Sequence, residues 1–233
     1  MKKTLIFFLA LSATFSTIAQ GLKIGIQFTP HVSYNRIKDQ VEDFSVTRDG
    51  AGFRFTAGPV VDWYLMENVA ISSGVWFSNK RAGVNFVDDS TGSNKKPEYT
   101  LHYMQIPLSI KMFVNEIAGT WKPYIQVGGT LEFKVSEKLG NDVATAFEEA
   151  KNQGFAKFYD FGLFIGIGTE MKIFNSNSVF AAITYQRGLL NIMKGNYQKE
   201  LAKYVSEGVT SIQKDDELKY KNDSVGLMLG FKF

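Results

Sequence analysis

Apolar side chains recur at every second residue through eight stretches of this chain, and a period of two is the signature of a strand with unlike faces. In the first stretch Leu22, Ile24, Ile26 and Phe28 alternate with Lys23, Gly25, Gln27 and Thr29. In the last, Val225, Leu227, Leu229, Phe231 and Phe233 alternate with Ser224, Gly226, Met228, Gly230 and Lys232. Six more lie between them, at about Phe53 to Leu65, Val69 to Asn79, Thr100 to Val114, Tyr124 to Val135, Tyr159 to Met171 and Val179 to Leu189. The seventh of the eight is the weakest, because Phe180 and Ala182 sit on what should be its polar face.

The connections alternate in length. Those after the second, fourth and sixth strands are short: Met66-Glu67-Asn68, about Asn115 to Lys122, and about Ile173 to Ser178. Those after the first, third, fifth and seventh are long: roughly Asn35 to Gly52, Lys80 to Tyr99, Ser136 to Phe158 and Leu190 to Tyr220. Long polar loops at one end and short turns at the other describe an up-and-down meander of the outer-membrane type. Strands of about ten residues cross a bilayer when tilted. Hydrocarbon offers backbone amides no partner, so such a sheet must close.

A soluble sandwich would alternate too, so the chemistry of the faces decides. The polar faces carry Arg54, Asp62, Lys111, Glu132, Lys134, Asp160 and Glu170 in mid-strand, with both signs mixed. Such charges suit a narrow lumen in which acids and bases pair. The other faces are rich in Leu, Ile, Val and Phe, as lipid contact demands. Tyr34, Trp63, Tyr64, Tyr99, Tyr103, Trp121, Tyr124 and Tyr185 lie near strand ends, where aromatic girdles form. Eight strands leave an interior that side chains fill. Pro59 and Pro107 fall inside strands that have neighbours on both sides, which predicts a local bulge or bend at each.

The first residues read differently. Lys2 and Lys3 precede a mostly apolar run from Leu5 to Phe15, and Thr17-Ile18-Ala19 sets small residues at a cleavage site before Gln20. That is a secretory signal peptide rather than a spanning helix, for which the run is too short. The chain has no cysteine, hence no disulfide and no lipid-bearing N-terminal Cys. Without Lys2 and Lys3 the 26 basic residues become 24 against 23 acids, so no basic field is offered to nucleic acid. The expectation is an all-β protein: an eight-stranded antiparallel up-and-down transmembrane β-barrel over 20–233, after a cleavable signal peptide at 1–19. Its expected place is the outer membrane of a Gram-negative bacterium.

Four of these strands also resemble a known family. Tyr103-Met104-Gln105-Ile106-Pro107-Leu108-Ser109-Ile110-Lys111 is similar to the "(I)xIPLLLKY" strand of the PorT-like outer-membrane β-barrel family, departing from it at Ser109. Lys122-Pro123-Tyr124-Ile125-Gln126-Val127-Gly128-Gly129 resembles the "KPYxxxG" strand that follows there. Asp160-Phe161-Gly162-Leu163 with Gly166-Ile167-Gly168 resembles "DfGlxxGxG", and Tyr185-Gln186-Arg187-Gly188-Leu189-Leu190-Asn191 resembles "YxxGLxN". The terminal Phe233 matches the ending by which the barrel-insertion machinery recognises many barrels. The resemblance implies fold and location; most members have no assigned activity, and the namesake is tied to protein secretion.

Candidate chemistry is sparse. The only histidines are His31 and His102. A surface hydrolase needs a base beside a nucleophile, and His102 with Ser78 or Asp160 would have to supply it. His102, however, shares parity with lipid-facing Met104. The acidic runs Asp88-Asp89-Ser90 and Asp215-Asp216-Glu217 match no calcium-loop spacing. No catalytic residue, cofactor or metal site is expected. Helix formers at Asp142 to Lys151 and Asn196 to Val205 predict short helices in the third and fourth long loops. The reading is an anchored structural or interaction barrel that meets outer-membrane lipid and offers loops 136–158 and 190–220 to a protein partner, with a link to protein secretion. The alternative is a narrow porin-like channel for small solutes.

Overall fold

The computed structural model describes residues 21–38, 44–48, 50–88, 94–95, 98–117, 119–139, 154–174, 177–195 and 219–233. The signal peptide, both expected loop helices, Asp89-Ser90 and Asp215-Asp216-Glu217 lie outside the described residues. The strands are β1 (Leu22–Lys38), β2 (Phe44–Arg48), β3 (Ala51–Met66), β4 (Val69–Gly74), β5 (Trp76–Asp88), β6 (Asn94–Lys95), β7 (Glu98–Phe113), β8 (Trp121–Leu139), β9 (Tyr159–Phe174), β10 (Asn177–Gly188) and β11 (Lys219–Lys232).

Eight staves close a ring: β1, β3, the consecutive pair β4 and β5, then β7, β8, β9, β10 and β11, each antiparallel to the next, with β1 joined to both β3 and β11. The short β2 and β6 pair with the outer end of β5 and extend it above the ring. The even stave count returns Phe233 to the rim where the chain's first stave begins, and its amide donates to the Ile24 carbonyl at 2.9 Å. The strands run further into the long-loop side than the alternation alone marks, since β1 reaches Lys38 and β5 reaches Asp88.

The alternation is inside out relative to a soluble protein. On β7, Leu108 is 64% exposed and Ile110 53%, whereas their neighbours Ser109 and Lys111 are 3% and 1%. Ile24, Ile26, Phe53, Leu131, Ile167, Ile183 and Leu227 continue the apolar surface round the other staves. An apolar girdle of this extent needs hydrocarbon to cover it.

The two prolines behave differently from the sequence expectation. Neither makes a bulge: the β1–β3 register runs unbroken past Pro59, and the β7–β8 register shifts between His102 and Tyr103 but not at Pro107. Instead both border one interruption. Val75 belongs to neither β4 nor β5, and the flanking registers set Pro59 across from Val75 and Pro107 across from Gly74. The Pro59 carbonyl accepts from the Val75 amide at 3.3 Å and the Pro107 carbonyl from Ser73 Oγ at 2.8 Å. In an antiparallel ladder a residue's amide and carbonyl face the same neighbour. Both missing donors therefore face the Gly74–Val75 joint, and the ladder breaks there without changing register.

Above this joint β5 stays laddered to β7 as far as Gly83–Glu98 but parts from β3. Its ladder with β3 comprises Thr56–Ser78 and Ala57–Phe77 only, and the strands meet again through β2 at Arg48–Val84. The β5 backbone turns to the lumen, where side chains of β1 and β11 take its edge groups. Asn222 Nδ2 donates to the Arg81 carbonyl at 2.7 Å, and Asn35 Nδ2 and the Tyr220 hydroxyl each donate to the Gly83 carbonyl at 3.2 Å. The Arg81 stem lies on the inner face of β3, where a Cβ at Gly52 would meet Arg81 Cδ at 2.5 Å; only glycine leaves that space. The wall here is an overlapped seam.

Candidate functional site

The lumen is the place where function would reside, and it is filled at successive levels. Nearest the short turns lies an ion cluster. Lys111 Nζ meets Asp62 Oδ2 at 2.9 Å, Lys232 bonds both Asp62 and Glu170, and Lys23 reaches Glu170 at 3.4 Å. Ser178 Oγ donates to Glu170 at 2.7 Å. Lys111 and Lys232 both stand over the Phe180 ring, at 5.2 and 5.1 Å, and Lys111 over Tyr124 at 5.1 Å. Burying such charges is costly unless each finds a partner. Here each does, and the bonds tie β1, β3, β7, β9, β10 and β11 across the barrel.

The waist above is apolar. Trp76 and Phe164 meet edge to face with ring centroids 6.0 Å apart, within a buried cluster that includes Val60, Ala70, Phe180, Ala182 and Met228. Trp76 is held from behind by its Nε1, which donates to the Pro59 carbonyl at 3.1 Å. A further charge group follows: Lys80 meets Glu132 at 2.6 Å, and Gln105, Thr130 and Gln186 also donate to Glu132. Between this group and the waist a cavity of about 20 Å³ remains, lined by Thr29, His31, Thr56, Gln105, Thr184 and Ser224 among others. It has room for a single water.

A cap closes the long-loop end. Phe155, fully buried, stacks on Tyr99 at 4.6 Å and meets Tyr220 edge-on at 5.3 Å. Ala156 bridges Met193, joining the bases of the third and fourth long loops. Glu137 holds this turn by accepting the amides of Phe155 at 2.8 Å and Ala156 at 3.1 Å, and it pairs with Lys134 at 2.7 Å. Asn191 Oδ1 accepts the amides of Met193 and Tyr220. At the opposite rim a 480 Å³ mouth, lined by Lys23, Tyr64, Lys122, Lys172 and Phe233, ends blindly against Glu170.

Of the seven charges marked from sequence, only Asp62 and Lys111 pair with each other. Glu132 pairs with Lys80, Glu170 with Lys232 and Lys23, Arg54 with Glu98 at 3.1 Å, and Lys134 with Glu137. Asp160 accepts the Phe161 amide at 2.7 Å. Alternation carried two residues beyond Ser78 would have included Lys80, and the inward parity of Met228 and Gly230 extends to Lys232. The girdle expectation is corrected for four aromatics. Tyr99, Tyr103 and Tyr124 are buried in the lumen, and Tyr64 packs on the lumen cluster, because each shares parity with the inward residues of its strand. Trp63 and Trp121 do lie outside. His102 also points outward, stacked on Phe77 at 5.6 Å with Nδ1 2.9 Å from Ser136 Oγ. Ser78 and Asp160 are inside the barrel, so that trio does not assemble.

A closed antiparallel ring, apolar outside and charged within, is the architecture of membrane barrels. The sequence profile described as outer membrane protein beta-barrel domain matches residues 16–194. The chain belongs to this family. It is an outer-membrane β-barrel protein, and outward Leu108, Ile110 and their neighbours are its lipid surface. No curated protein sequence matches it. Among solved structures, it is similar to the outer membrane protein OprG from Pseudomonas aeruginosa, with 13% identity, 91% of this chain and 96% of that chain covered, and a TM-score of 0.48. It is also similar to the attachment invasion locus protein Ail of Yersinia pestis (12% identity, 91% and 99% covered, TM-score 0.38). The outer membrane protease OmpT from Escherichia coli gives 9% identity, 91% and 95% covered, and a TM-score of 0.41.

Proposed function

We propose that this barrel is an anchored interaction protein that works through its long-loop end rather than through an open pore. The observation that carries the reading is the bridge between Ala156 and Met193 over a stoppered lumen. It sets the bases of loops 136–158 and 190–220 on one platform, so the two loops meet a protein partner as one surface. Loops on a rigid scaffold are common sites of recognition. The PorT-like motifs around Pro107, Pro123, Gly162 and Gly188 extend the reading to a component of protein secretion across the outer membrane of a Gram-negative bacterium. In this reading residues 1–19 direct export and Phe233 addresses the insertion machinery.

The test is affinity capture of the membrane-embedded protein, with loops 140–153 and 196–218 intact or shortened. The reading expects one specific partner that is lost on shortening either loop. Capture unchanged by both deletions contradicts it. The porin-like alternative requires steady conductance from the unmodified barrel in a planar bilayer, and the buried ion cluster and apolar waist oppose that.

A further inference from the structure

The small cavity above the waist is bordered by polar atoms without partners. His31 Nε2 and Gln105 Oε1 are buried, line this space, and make no hydrogen bond within the protein. Leaving buried polar atoms unpaired is costly, so such atoms mark a place where another molecule bonds. The surrounding groups on Thr29, Thr56, Thr184 and Gln186 are uncharged donors and acceptors. Two layers lie between this space and the long-loop end, the Lys80–Glu132 group and the cap over Phe155, and the outer half of β5 takes part in both. Its residues Asn79–Gly83 stay laddered to β7, turn their other edge to the lumen, carry Lys80 to Glu132, and meet Tyr220 of the cap.

The same segment has a second place to go. Continuing the Thr56–Ser78 register upward sets Arg81 opposite Phe53 and Gly83 opposite Ala51, along an edge of β3 that no described ladder pair occupies. The joint for such a movement is Gly74–Val75, where Pro59 and Pro107 withhold their donors. The latch that holds the inward position consists of Ser33, Asn35, Tyr220 and Asn222 bonding the edge groups of Arg81 and Gly83.

We propose that Asn79–Gly83 is a gate strand: when it leaves its latch and pairs with β3, the cavity beside His31 and Gln105 enlarges into a chamber open to the long-loop side, which binds small uncharged polar molecules such as polyols and amides. The ion cluster at Asp62 and Lys111 remains as its floor, so the chamber binds and does not conduct. The inference is independent of any loop partner.

The absence of cysteine makes the test clean. Thr184→Cys places one thiol on the cavity wall of the full barrel in liposomes. Its reaction with a small neutral methanethiosulfonate, applied from the long-loop side, is followed with and without Ser33→Ala/Asn222→Ala. Asn35→Ala/Tyr220→Phe, which removes the two donors to the Gly83 carbonyl, is a second release should the first fail to fold. Release is expected to speed labelling about tenfold, with anionic and cationic reagents of like size lagging behind. Separately, Gly52→Cys/Arg81→Cys should form a disulfide, because Arg81 Cβ is 3.2 Å from a Cβ at position 52, close to a disulfide's Cβ separation. Fast labelling without release overturns the gate, as does slow labelling in a folded released variant. Charged reagents reacting as fast as neutral ones overturn the ligand class, and failure of the disulfide overturns the inward position.

Discussion

Trp76 on β5 and Phe164 on β9 meet ring to ring although β7 and β8 stand between their strands in the wall. Two residues so placed can touch only through the lumen. The contact is thus a stopper and a strut at once. Replacing Trp76 by Ala removes the larger half and should cost about 3–5 kcal/mol of stability, by analogy with buried aromatic truncations. Urea unfolding in vesicles reads that loss. Planar-bilayer recordings of the same variant should stay silent, because Lys80–Glu132 above and Lys232–Glu170 below still block the path; steady current would show that the waist alone closes it.

Asp62 neutralises two ammonium groups, Lys111 and Lys232, while Lys232 is one of several partners of the acids it meets. The consequences of removing them are therefore unequal. Asp62→Asn leaves Lys111 without a carboxylate and Lys232 with Glu170 alone, and should cost about 3–5 kcal/mol. Lys232→Met leaves Asp62 with Lys111 and Glu170 with Lys23, and keeps a flexible stem over Phe180, so its loss should be clearly smaller. The temperature at which the folded, fast-migrating band disappears on a gel orders the two variants. The reverse order would contradict the assigned pairing.

The lipid surface is sensitive to charge in proportion to depth. Leu108, exposed on mid-β7, is a stringent site, and Leu108→Arg should cost about 2–4 kcal/mol. Leu65→Arg, at the short-turn end of β3, should cost much less. Equal effects measured by vesicle unfolding would mean that Leu108 does not face hydrocarbon.

Glu137 organises the cap by receiving two amides and Lys134. Glu137→Gln keeps the shape but loses the charge-assisted bonds. The turn at Phe155–Phe158 should then open to protease added outside, while the barrel's unfolding midpoint stays close to that of the parent. Unchanged resistance to cleavage would show that Phe155 stacking alone holds the cap.

Much of this fold is legible in the sequence. Alternation of two, as in Met104-Gln105-Ile106, assigns each side chain to lipid or lumen, because successive strand residues point to opposite faces. What alternation does not carry is height along the barrel or partner across it. Asp62 and Glu170 read equally well as a pair with Lys111, and only the relative stagger of staves shows that Lys232 stands between them. Aromatics are ambiguous for a related reason. Tyr124 and Trp121 both sit near a strand end, but parity sends the first to the ion cluster and the second outside. Pro59 and Pro107 are each conspicuous within a strand, but neither makes the bulge that a strand proline suggests; they lie far apart in sequence, and their meeting at one joint depends on register. The parting of β5 from β3 has no local signal, since Asn79–Gly83 alternates like any stave and keeps its ladder with β7.

The central claim is the outward direction of the apolar face. Nitroxides placed one at a time from Ile106 to Phe113 on the cysteine-free barrel in lipid vesicles test it directly, by relaxation with oxygen, which concentrates in hydrocarbon. The structure predicts an alternating profile in which positions 106, 108, 110 and 112 collide strongly with oxygen and 107, 109, 111 and 113 do not. The opposite phase, or even positions reached instead by a water-soluble nickel complex, would contradict it.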